Sequence, residues 1–269
     1  MLFWMSVSSA AETPVRIGLT PVFLDEQPRL IKAWRTYLEQ RLNHPVIFVQ
    51  RGSYREITDL LLRGELEVAW LCGLPYVEKQ EQLSLIATPI YKGAPLYRSY
   101  LIISVKRKIT GWRDLAGGVF AYSDPDSNSG YLYPTYALKR EHLDPDSLFR
   151  KSFFARAHRN VVEAVASGLA DAGAVDGYVW DTLARDNPEL IRQTKVIERS
   201  ETFGFPPLVA RKDFPREQMK ALRSALVAMP TNAEGREILV LLNLDGFTLT
   251  KPSLYQSIAD MAHAVGRLP

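Results

Sequence analysis

The sequence predicts an α/β protein of two lobes, with the second lobe inserted into the first and a ligand cleft between them. Apolar runs typical of buried strands alternate with amphipathic helical segments over residues 14–97 and again over 98–203. This alternation is typical of sheets covered by helices. The segment 204–269 then crosses back and adds helices to the first unit. We therefore assign 14–97 plus 204–269 to lobe 1 and 98–203 to lobe 2, with the ligand between them.

The elements of lobe 1 follow a β-α-β-α-β order. The run VRIGLTPV (15–22) is predicted to be the first strand, and VIFVQ and EVAWLCG are the next two. The helix between the first two strands has one apolar stripe, formed by Leu30, Trp34, Leu38 and Leu42. Asn43 and Pro45 end this helix, and Gly64 ends the next one. The order predicts a parallel sheet with helices on both faces.

Lobe 2 repeats the alternation with different spacing. Its predicted strands are YRSYLIISV (97–105), GVFAY, FRKSFF and ADAGAVD, and the helix NVVEAVAS ends at Gly168. The segment FGFPPLVARKDF is predicted to return to lobe 1. REQMKALRSALVAM and LYQSIADMAHAV are predicted to be closing helices.

The bulk composition excludes some classes of protein. The chain has 269 residues, of which 46% are hydrophobic and 23% charged, which is typical of a folded protein and not of a disordered one. The net charge is +3, and Lys and Arg are scattered without a stripe of interleaved aromatic residues. We therefore expect no nucleic-acid partner. The weak positive charge suits an anionic small molecule.

The N-terminus and the cysteine count bear on location. Residues 1–11 contain a short apolar core followed by small residues, which we interpret as the remainder of a secretory signal peptide and hence as a sign of a periplasmic protein. An ordinary N-terminal strand is the alternative. No other apolar run has the length of a membrane span. Cys72 is the single cysteine, so no internal disulfide forms, and a lone thiol fits either the cytoplasm or the periplasm.

The segment SDPDSNSG (123–130) concentrates short polar residues between a predicted strand and a predicted helix. The first N–H groups of a helix lack internal partners and carry the positive end of the helix dipole, so this place suits an oxyanion. Ser and Asn side chains add donors, and Gly130 lets the backbone come close to a ligand. Ser, Asp and Asn are also the preferred N-cap residues, and a plain helix cap is the alternative.

Four segments resemble a known family. SDPDSNSGYLYP closely resembles the DPxSxSGxxxP motif of the phosphonate-binding family of periplasmic solute-binding proteins, whose members bind phosphonate, phosphite or phosphate. LLLRGELEVAWLCGLPYV, YRSYLIISVKRKITGWRDLAG and ARAHRNVVEAVASGLADAGAV resemble three further family segments in the same order. The resemblance covers the chain from about Val15 to about Leu249.

The resemblance implies a type II-like, two-lobed periplasmic binding protein that closes on a small oxyanion. It places Ser127, Asn128 and Ser129 around the anion, His158 against it, and Tyr97 and Tyr54 beside the ligand. A structural role is the alternative for each, since a histidine at a helix start often only hydrogen-bonds the backbone and a tyrosine at a strand edge often packs in the core. It also implies that the protein serves an ABC permease or a membrane sensor histidine kinase. We expect a monomer with no cofactor and no metal.

Several positions depart from the family pattern. Two carboxylates hold the ammonium group of aminophosphonates in the family, and here those positions are Tyr178 and Pro206, with Asp176 as a nearby replacement. The middle residue of the serine cluster is Asn128, where the family usually has Thr. We therefore expect a ligand without an amine: phosphite, phosphate, methylphosphonate or a similar oxyanion.

Cys72 ends an apolar strand, and packing as a small buried side chain is the interpretation that the sequence favours. Two functional alternatives stay open, because the end of this strand points to the cleft. A thiolate there would suit trivalent arsenic, so an arsenite-sensing protein is one alternative. A thiol-dependent enzyme that pairs Cys72 with His158 is the other. Nothing else in the sequence indicates an enzyme: the four histidines are far apart, and the chain has neither a GxGxxG motif nor a P-loop. A helix-turn-helix regulator would need a segment before the first strand, and we expect none.

Overall fold

A computed structural model describes residues 13–21 and 28–269. The predicted signal remnant, residues 1–11, lies outside the described residues. The strands are β1 (Val15–Leu19), β2 (Val46–Gln50), β3 (Val68–Trp70), β4 (Leu83–Ile90), β5 (Leu96–Tyr97), β6 (Ser99–Ser104), β7 (Val119–Tyr122), β8 (Lys151–Phe154), β9 (Ala172–Asp176), β10 (Thr194–Arg199), β11 (Phe203–Gly204), β12 (Leu208–Arg211) and β13 (Gly246–Thr248).

The α-helices are α1 (Pro28–Leu42), α2 (Tyr54–Leu62), α3 (Gly73–Lys79), α4 (Tyr133–Arg140), α5 (Pro145–Leu148), α6 (His158–Ser167), α7 (Gly177–Asp186), α8 (Pro188–Ile191), α9 (Arg216–Val227), α10 (Ala233–Leu242) and α11 (Gln256–Ala264). A π-helical turn, Asn128–Leu132, leads directly into α4. Short 3₁₀ turns occur at Trp112–Leu115, Met229–Thr231 and Pro252–Tyr255. None of the described helices is long and apolar enough to span a bilayer.

The sheet of lobe 1 has six strands in the order β13-β4-β12-β3-β1-β2. Strands β1, β2 and β3 are parallel, as the β-α-β-α-β pattern predicts. Strand β12 lies antiparallel between β3 and β4, and β13 is antiparallel to β4, so the sheet is mixed. The predicted parallel arrangement is confirmed for these three strands, and the sheet continues antiparallel through β12, β4 and β13. The reason for the antiparallel pairing is that the chain returns from lobe 2 through β12 without the helical crossover that parallel pairing needs.

Helices α1 and α2 cover opposite faces of this sheet. Trp34 of α1 is fully buried and packs its ring against Trp70 of β3, with 5.6 Å between ring centroids. On the other face a Cβ on Gly18 of β1 would lie 2.9 Å from Ile57 of α2. The predicted stripe of α1 is confirmed, since Leu30, Trp34, Leu38 and Leu42 are all buried.

The sheet of lobe 2 has five strands in the order β10-β6-β9-β7-β8. Strands β7, β8 and β9 are parallel, whereas β6 is antiparallel to both β9 and β10. All five strands come from residues 99–199, inside the stretch between β4 and β12 of lobe 1. The chain passes between the lobes at β5 and β11, which pair with each other as a two-stranded ribbon. The boundaries at 97/98 and 203/204 stay a prediction.

Several elements had no counterpart in the sequence prediction, and β4, α10, β10 and β13 are among them. Strand β4 contains Pro89, and β13 has only three residues, so neither gives a clear strand pattern. The predicted helix ends are confirmed: Gly64 and Gly168 have φ angles of 78° and 82°, in the left-handed region that favours glycine.

We predict that Trp34→Ala lowers the free energy of unfolding by about 3–5 kcal/mol, because it removes a large buried ring and leaves a cavity between α1 and β3. Urea unfolding followed by circular dichroism measures this change. Arg35→Ala is the matched control, since Arg35 is exposed on the same helix. Equal urea midpoints for the two variants would contradict this description of the core.

Candidate functional site

The serine-rich segment lies between the lobes, directly after β7. Ser127 is the N-cap of the π-helical turn, and its Oγ accepts a hydrogen bond of 3.0 Å from the N–H of Gly130. The side chain of Ser127 therefore acts as a helix cap, which was the alternative interpretation of this segment. Ser127, Asn128 and Ser129 are each at most 1% exposed. A capped helix start is thus buried at the place where the sequence predicts the anion.

Asn128 joins this segment to lobe 1. Its backbone N–H donates to Sγ of Cys72 at 3.2 Å, and its Nδ2 donates to the hydroxyl of Tyr97 at 2.8 Å. Cys72 stands at the N-cap of α3, and Tyr97 ends β5 at the passage between the lobes. Both contacts therefore cross between the segment of lobe 2 and elements that precede lobe 2 in the chain.

His158 is the first residue of α6 and is buried beside Ser127. Its Nδ1 accepts the N–H of Asp176 at 3.0 Å, and its Nε2 lies 3.5 Å from Oγ of Ser127. Burial lowers the pKa of His158 to about 3, so the ring is neutral at pH 7. Because Nδ1 is an acceptor, the proton is on Nε2, which therefore faces the serine cluster as a donor.

Four buried polar atoms around this segment have no hydrogen-bond partner among the described residues. They are the hydroxyl of Tyr54, Oγ of Ser123, Oδ1 of Asn128 and Oγ of Ser129. The hydroxyl of Ser129 lies close enough to that of Tyr97 to lower the pKa of Tyr97, and Tyr97 in turn raises the pKa of Tyr54, so the three groups are neighbours. A buried polar group without a partner costs about 1–3 kcal/mol, so this cluster is unfavourable unless something pairs with it.

Gly130 packs closely against its neighbours in the protein. A Cβ at this position would lie 1.8 Å from Oγ of Ser123 and 3.0 Å from Cε1 of His158. The absence of a side chain therefore lets the turn pack onto Ser123 and His158. These contacts serve the packing of the protein, and the approach of a ligand to the backbone of Gly130 stays a prediction.

Asp176 and Tyr178 lie on the other side of His158, at the start of α7. The carboxyl group of Asp176 caps this helix by accepting the N–H of Tyr178 at 2.8 Å, and burial raises its pKa to about 8. The hydroxyl of Tyr178 donates to the carbonyl of Leu242 in α10 of lobe 1. Tyr178 therefore bridges the two lobes. Pro206, the other departure from the family pattern, accepts the indole N–H of Trp70 through its carbonyl at 2.8 Å.

Cys72 is 3% exposed, and burial raises the pKa of its thiol to about 12. The thiol is therefore protonated at neutral pH and accepts the N–H of Asn128. No group of three or more His, Cys, Asp or Glu side chains that could hold a metal ion occurs in residues 13–21 and 28–269.

The lobes are joined by two sets of contacts, one at each edge of the site. The sequence did not reveal either set. At one edge Arg267, near the C-terminus, binds Glu78 of α3 at 2.8 Å and Asp126 of lobe 2 at 2.9 Å. Arg55 of α2 also reaches Asp126, at 3.3 Å. Asp124 accepts the N–H of Tyr54 at 3.4 Å.

At the opposite edge Asp181 of α7 accepts hydrogen bonds from Tyr91 at 2.6 Å and from Lys92 at 2.5 Å. Asn243 donates to Thr182 at 2.9 Å. The partners of each pair are far apart in the chain, and no periodic pattern marks them. The site is therefore enclosed between two bridged edges.

Comparison with known sequences places the chain in a family. A family model for ABC transporter, phosphonate, periplasmic substrate-binding proteins matches residues 17–255. The chain is 31% identical over 214 residues to the phosphate-import protein PhnD of Mycolicibacterium smegmatis, covering 74% of this chain and 66% of that one. It is 25% identical over 219 residues to the phosphonates-binding periplasmic protein of Escherichia coli, covering 78% and 64%. The chain thus spans slightly less than two thirds of the length of these two relatives.

Solved structures show the same fold. A binding protein component of an ABC phosphonate transporter from Pseudomonas aeruginosa superposes with a TM-score of 0.86 at 24% identity, covering 95% of this chain and 87% of that one. PhnD1 of Prochlorococcus marinus in complex with methylphosphonate superposes with a TM-score of 0.85 at 20% identity, covering 95% and 99%. These likenesses confirm the two-lobed α/β binding-protein fold. The chain belongs to the phosphonate-type periplasmic substrate-binding proteins of ABC transporters, a family of non-enzymatic binding proteins.

Proposed function

We propose that this protein binds a small tetrahedral oxyanion without an amine between its two lobes. The observation that supports this most is a pair of buried hydroxyls, those of Tyr54 in lobe 1 and Ser129 in lobe 2. Both lie beside Tyr97, and neither has a hydrogen-bond partner by geometry among the described residues. An oxyanion accepts several hydrogen bonds at once, and bonds to a charged acceptor are the strong ones. It would therefore pair these groups and hold the lobes together.

The other predicted site residues have consistent roles in this proposal. The N–H groups at the start of the π-helical turn and of α6 give the site the positive end of helix dipoles. His158 would donate from Nε2. Ser127, whose Oγ already accepts from Gly130, still has its hydroxyl proton to donate. Cys72 and Tyr97 would position Asn128 through the bonds they make to it.

The relatives indicate the class of ligand. Their names assign phosphate to the mycobacterial protein, phosphonates to the E. coli protein and phosphite to a Prochlorococcus marinus protein that is 22% identical over 244 residues. We propose phosphite, phosphate, methylphosphonate or a similar small oxyanion for this chain. The absence of a carboxylate at Tyr178 and Pro206 supports a ligand without an ammonium group, since a buried ammonium needs a paired charge.

The physiological partner and location are part of the same proposal. The protein would act in the periplasm, as a monomer, and deliver its ligand to an ABC permease or report it to a membrane sensor kinase. A histidine kinase sensor domain shares the fold, with a TM-score of 0.60 at 14% identity. This likeness concerns the fold alone, so both roles stay open. The lobe boundaries at 97/98 and 203/204 belong to the proposal too, and the pairing of β5 with β11 supports them.

The arsenite alternative has no support from the site. Arsenite binding requires a thiolate, and the thiol of Cys72 is buried with its pKa raised to about 12. Soft centres are held best by several sulfur ligands, and Cys72 is the single cysteine of the chain. The same buried, protonated thiol argues against a thiol-dependent enzyme, and the neutral Nε2–H of His158 is directed at Ser127.

We predict that Ser129→Ala and Tyr54→Phe each weaken binding of methylphosphonate or phosphate by roughly tenfold or more, because each removes a donor to a charged acceptor worth about 1.5–3 kcal/mol. Isothermal titration calorimetry measures the change. Both variants should unfold at the wild-type temperature without ligand, because neither hydroxyl has a partner to lose among the described residues.

Ser127→Ala is the informative companion variant. It should lose ligand affinity and also about 0.5–2 kcal/mol of stability, since it removes a helix cap. Ser253→Ala, at an exposed position of lobe 1, should change neither quantity. Wild-type affinity in both Ser129→Ala and Tyr54→Phe would place the ligand elsewhere.

We also predict that methylphosphonate binds at least roughly tenfold more tightly than 2-aminoethylphosphonate. The ammonium group would be enclosed without a carboxylate in the two positions where the family has one. Competition calorimetry with both ligands at pH 7 measures the ratio. Tighter binding of the aminophosphonate would contradict the prediction, and its loss in Asp176→Asn would identify Asp176 as the replacement acid.

A further inference from the structure

The carboxamide of Asn128 presents an unpaired acceptor to the site. Asn128 is fully buried, its N–H and its Nδ2 both have partners, and its Oδ1 has none among the described residues. A carbonyl oxygen cannot form a hydrogen bond with an unprotonated oxygen of an anion, because both are acceptors. Oδ1 therefore needs a donor, and in an oxyanion site the ligand itself is the available source.

The charges around the site are the second observation. No Lys or Arg is buried in residues 13–21 and 28–269. The guanidinium groups of Arg55 and Arg267 bind Asp126 at the edge of the site. The segment 22–27, VFLDEQ, adds no basic residue. The site therefore has no formal positive charge to balance a doubly charged ligand.

The titratable groups that face Asn128 from each neighbouring element are neutral or acidic. His158 is neutral, and burial keeps the thiol of Cys72 and the phenols of Tyr54, Tyr97 and Tyr255 protonated by raising their pKa values. Burial raises the pKa values of the carboxyl groups of Asp124 and Asp176, and the carboxylate of Asp126 is paired with Arg55 and Arg267. Among the described residues, negative charge is favoured here only by helix N-termini, hydroxyls and the neutral Nε2–H of His158, and burying a second negative charge among them is costly.

We infer that the site takes its oxyanion in the singly charged, protonated form and that Oδ1 of Asn128 accepts the proton that the ligand retains. One oxygen of the ligand then donates to Asn128, while the others accept from Ser129, Tyr54 and His158. This inference rests on the proposed function and adds to it the charge state of the ligand and the residue that selects it. A hydroxyl, as in the usual Thr of the family, can donate as well as accept, whereas an amide oxygen can only accept.

The experiment compares methylphosphonate with methanesulfonate by calorimetry from pH 5 to pH 9. The two probes are tetrahedral and of similar size, but the sulfonate is a single anion without a proton at every pH. Methylphosphonate at a pH below its second pKa should bind at least about tenfold more tightly than methanesulfonate, because only it can donate to Oδ1. Above that pKa its affinity should fall by about tenfold per pH unit, since the protonated form becomes scarce.

Methanesulfonate also distinguishes the titration of the ligand from the titration of the protein. Its binding reports only the protein's groups, including Asp176, so the difference between the two pH profiles isolates the proton of the phosphonate. Asp176→Asn should keep that difference. Titration of the wild-type protein in buffers of different ionisation enthalpy should show the uptake of about one proton per bound methylphosphonate above its second pKa.

Asn128→Leu tests the acceptor directly, since leucine has a similar size and no oxygen. It should lose most of the preference for methylphosphonate over methanesulfonate. If this variant does not fold, the proton uptake of the wild-type protein still decides the matter. A methylphosphonate affinity that stays level or rises above the second pKa, equal affinity for the sulfonate, or a loss of the difference in Asp176→Asn would overturn the inference and leave the proposed function intact. No binding of methylphosphonate, phosphite or phosphate at any pH would instead refute the proposed function.

Discussion

The arrangement of this protein depends on the burial of the polar segment 127–129 between the two lobes. Burying three polar residues is unfavourable unless their donors and acceptors are paired. Most of them are paired by the protein: Cys72 accepts the N–H of Asn128, Tyr97 accepts its Nδ2, and Ser127 caps the turn. The remaining Oγ of Ser129 and Oδ1 of Asn128 have no such partners among the described residues. A ligand that forms hydrogen bonds with these two atoms would stabilise both its own binding and the closed arrangement of the lobes.

The contacts at the two edges of the site are suited to a reversible closure. The ion pairs of Arg55 with Asp126 and of Lys92 with Asp181 have basic side chains that are 69% and 67% exposed. Such exposed pairs contribute about 0–1 kcal/mol each. They can orient the lobes without fixing them in one position. Under our account the ligand supplies the decisive free energy of closure, because its hydrogen bonds form in a buried site.

The sequence predicts the fold where a pattern is local. The stripe of α1 around Trp34 and the glycines that end helices, Gly64 and Gly168, are visible in the sequence because their periodicity and position have a direct physical cause. The direction of β12 was not predictable, since it depends on the long excursion of the chain through lobe 2. Strand β13 was missed because three residues give too little pattern.

The candidate site could be predicted only in part. The serine cluster is visible as a helix start, but the selection of His158, Tyr97 and Tyr54 came from the resemblance to a family. The partners that enclose the site are distant in the chain: Asn128 and Cys72 are separated by 56 residues, and Arg267 and Asp126 by 141. No spacing rule joins such residues. The acceptor role that we propose for Asn128 depends on the hydrogen bonds of its N–H and its Nδ2, which the sequence does not reveal.

A crystal structure of the protein with methylphosphonate, grown below the second pKa of the ligand, tests the central claim most directly. Our account predicts the phosphonate between the lobes, with its oxygens within hydrogen-bond distance of Oγ of Ser129 and of the hydroxyl of Tyr54. One of its oxygens should also lie within that distance of Oδ1 of Asn128. A phosphonate bound elsewhere, or one whose oxygens contact none of these three atoms, would contradict the account.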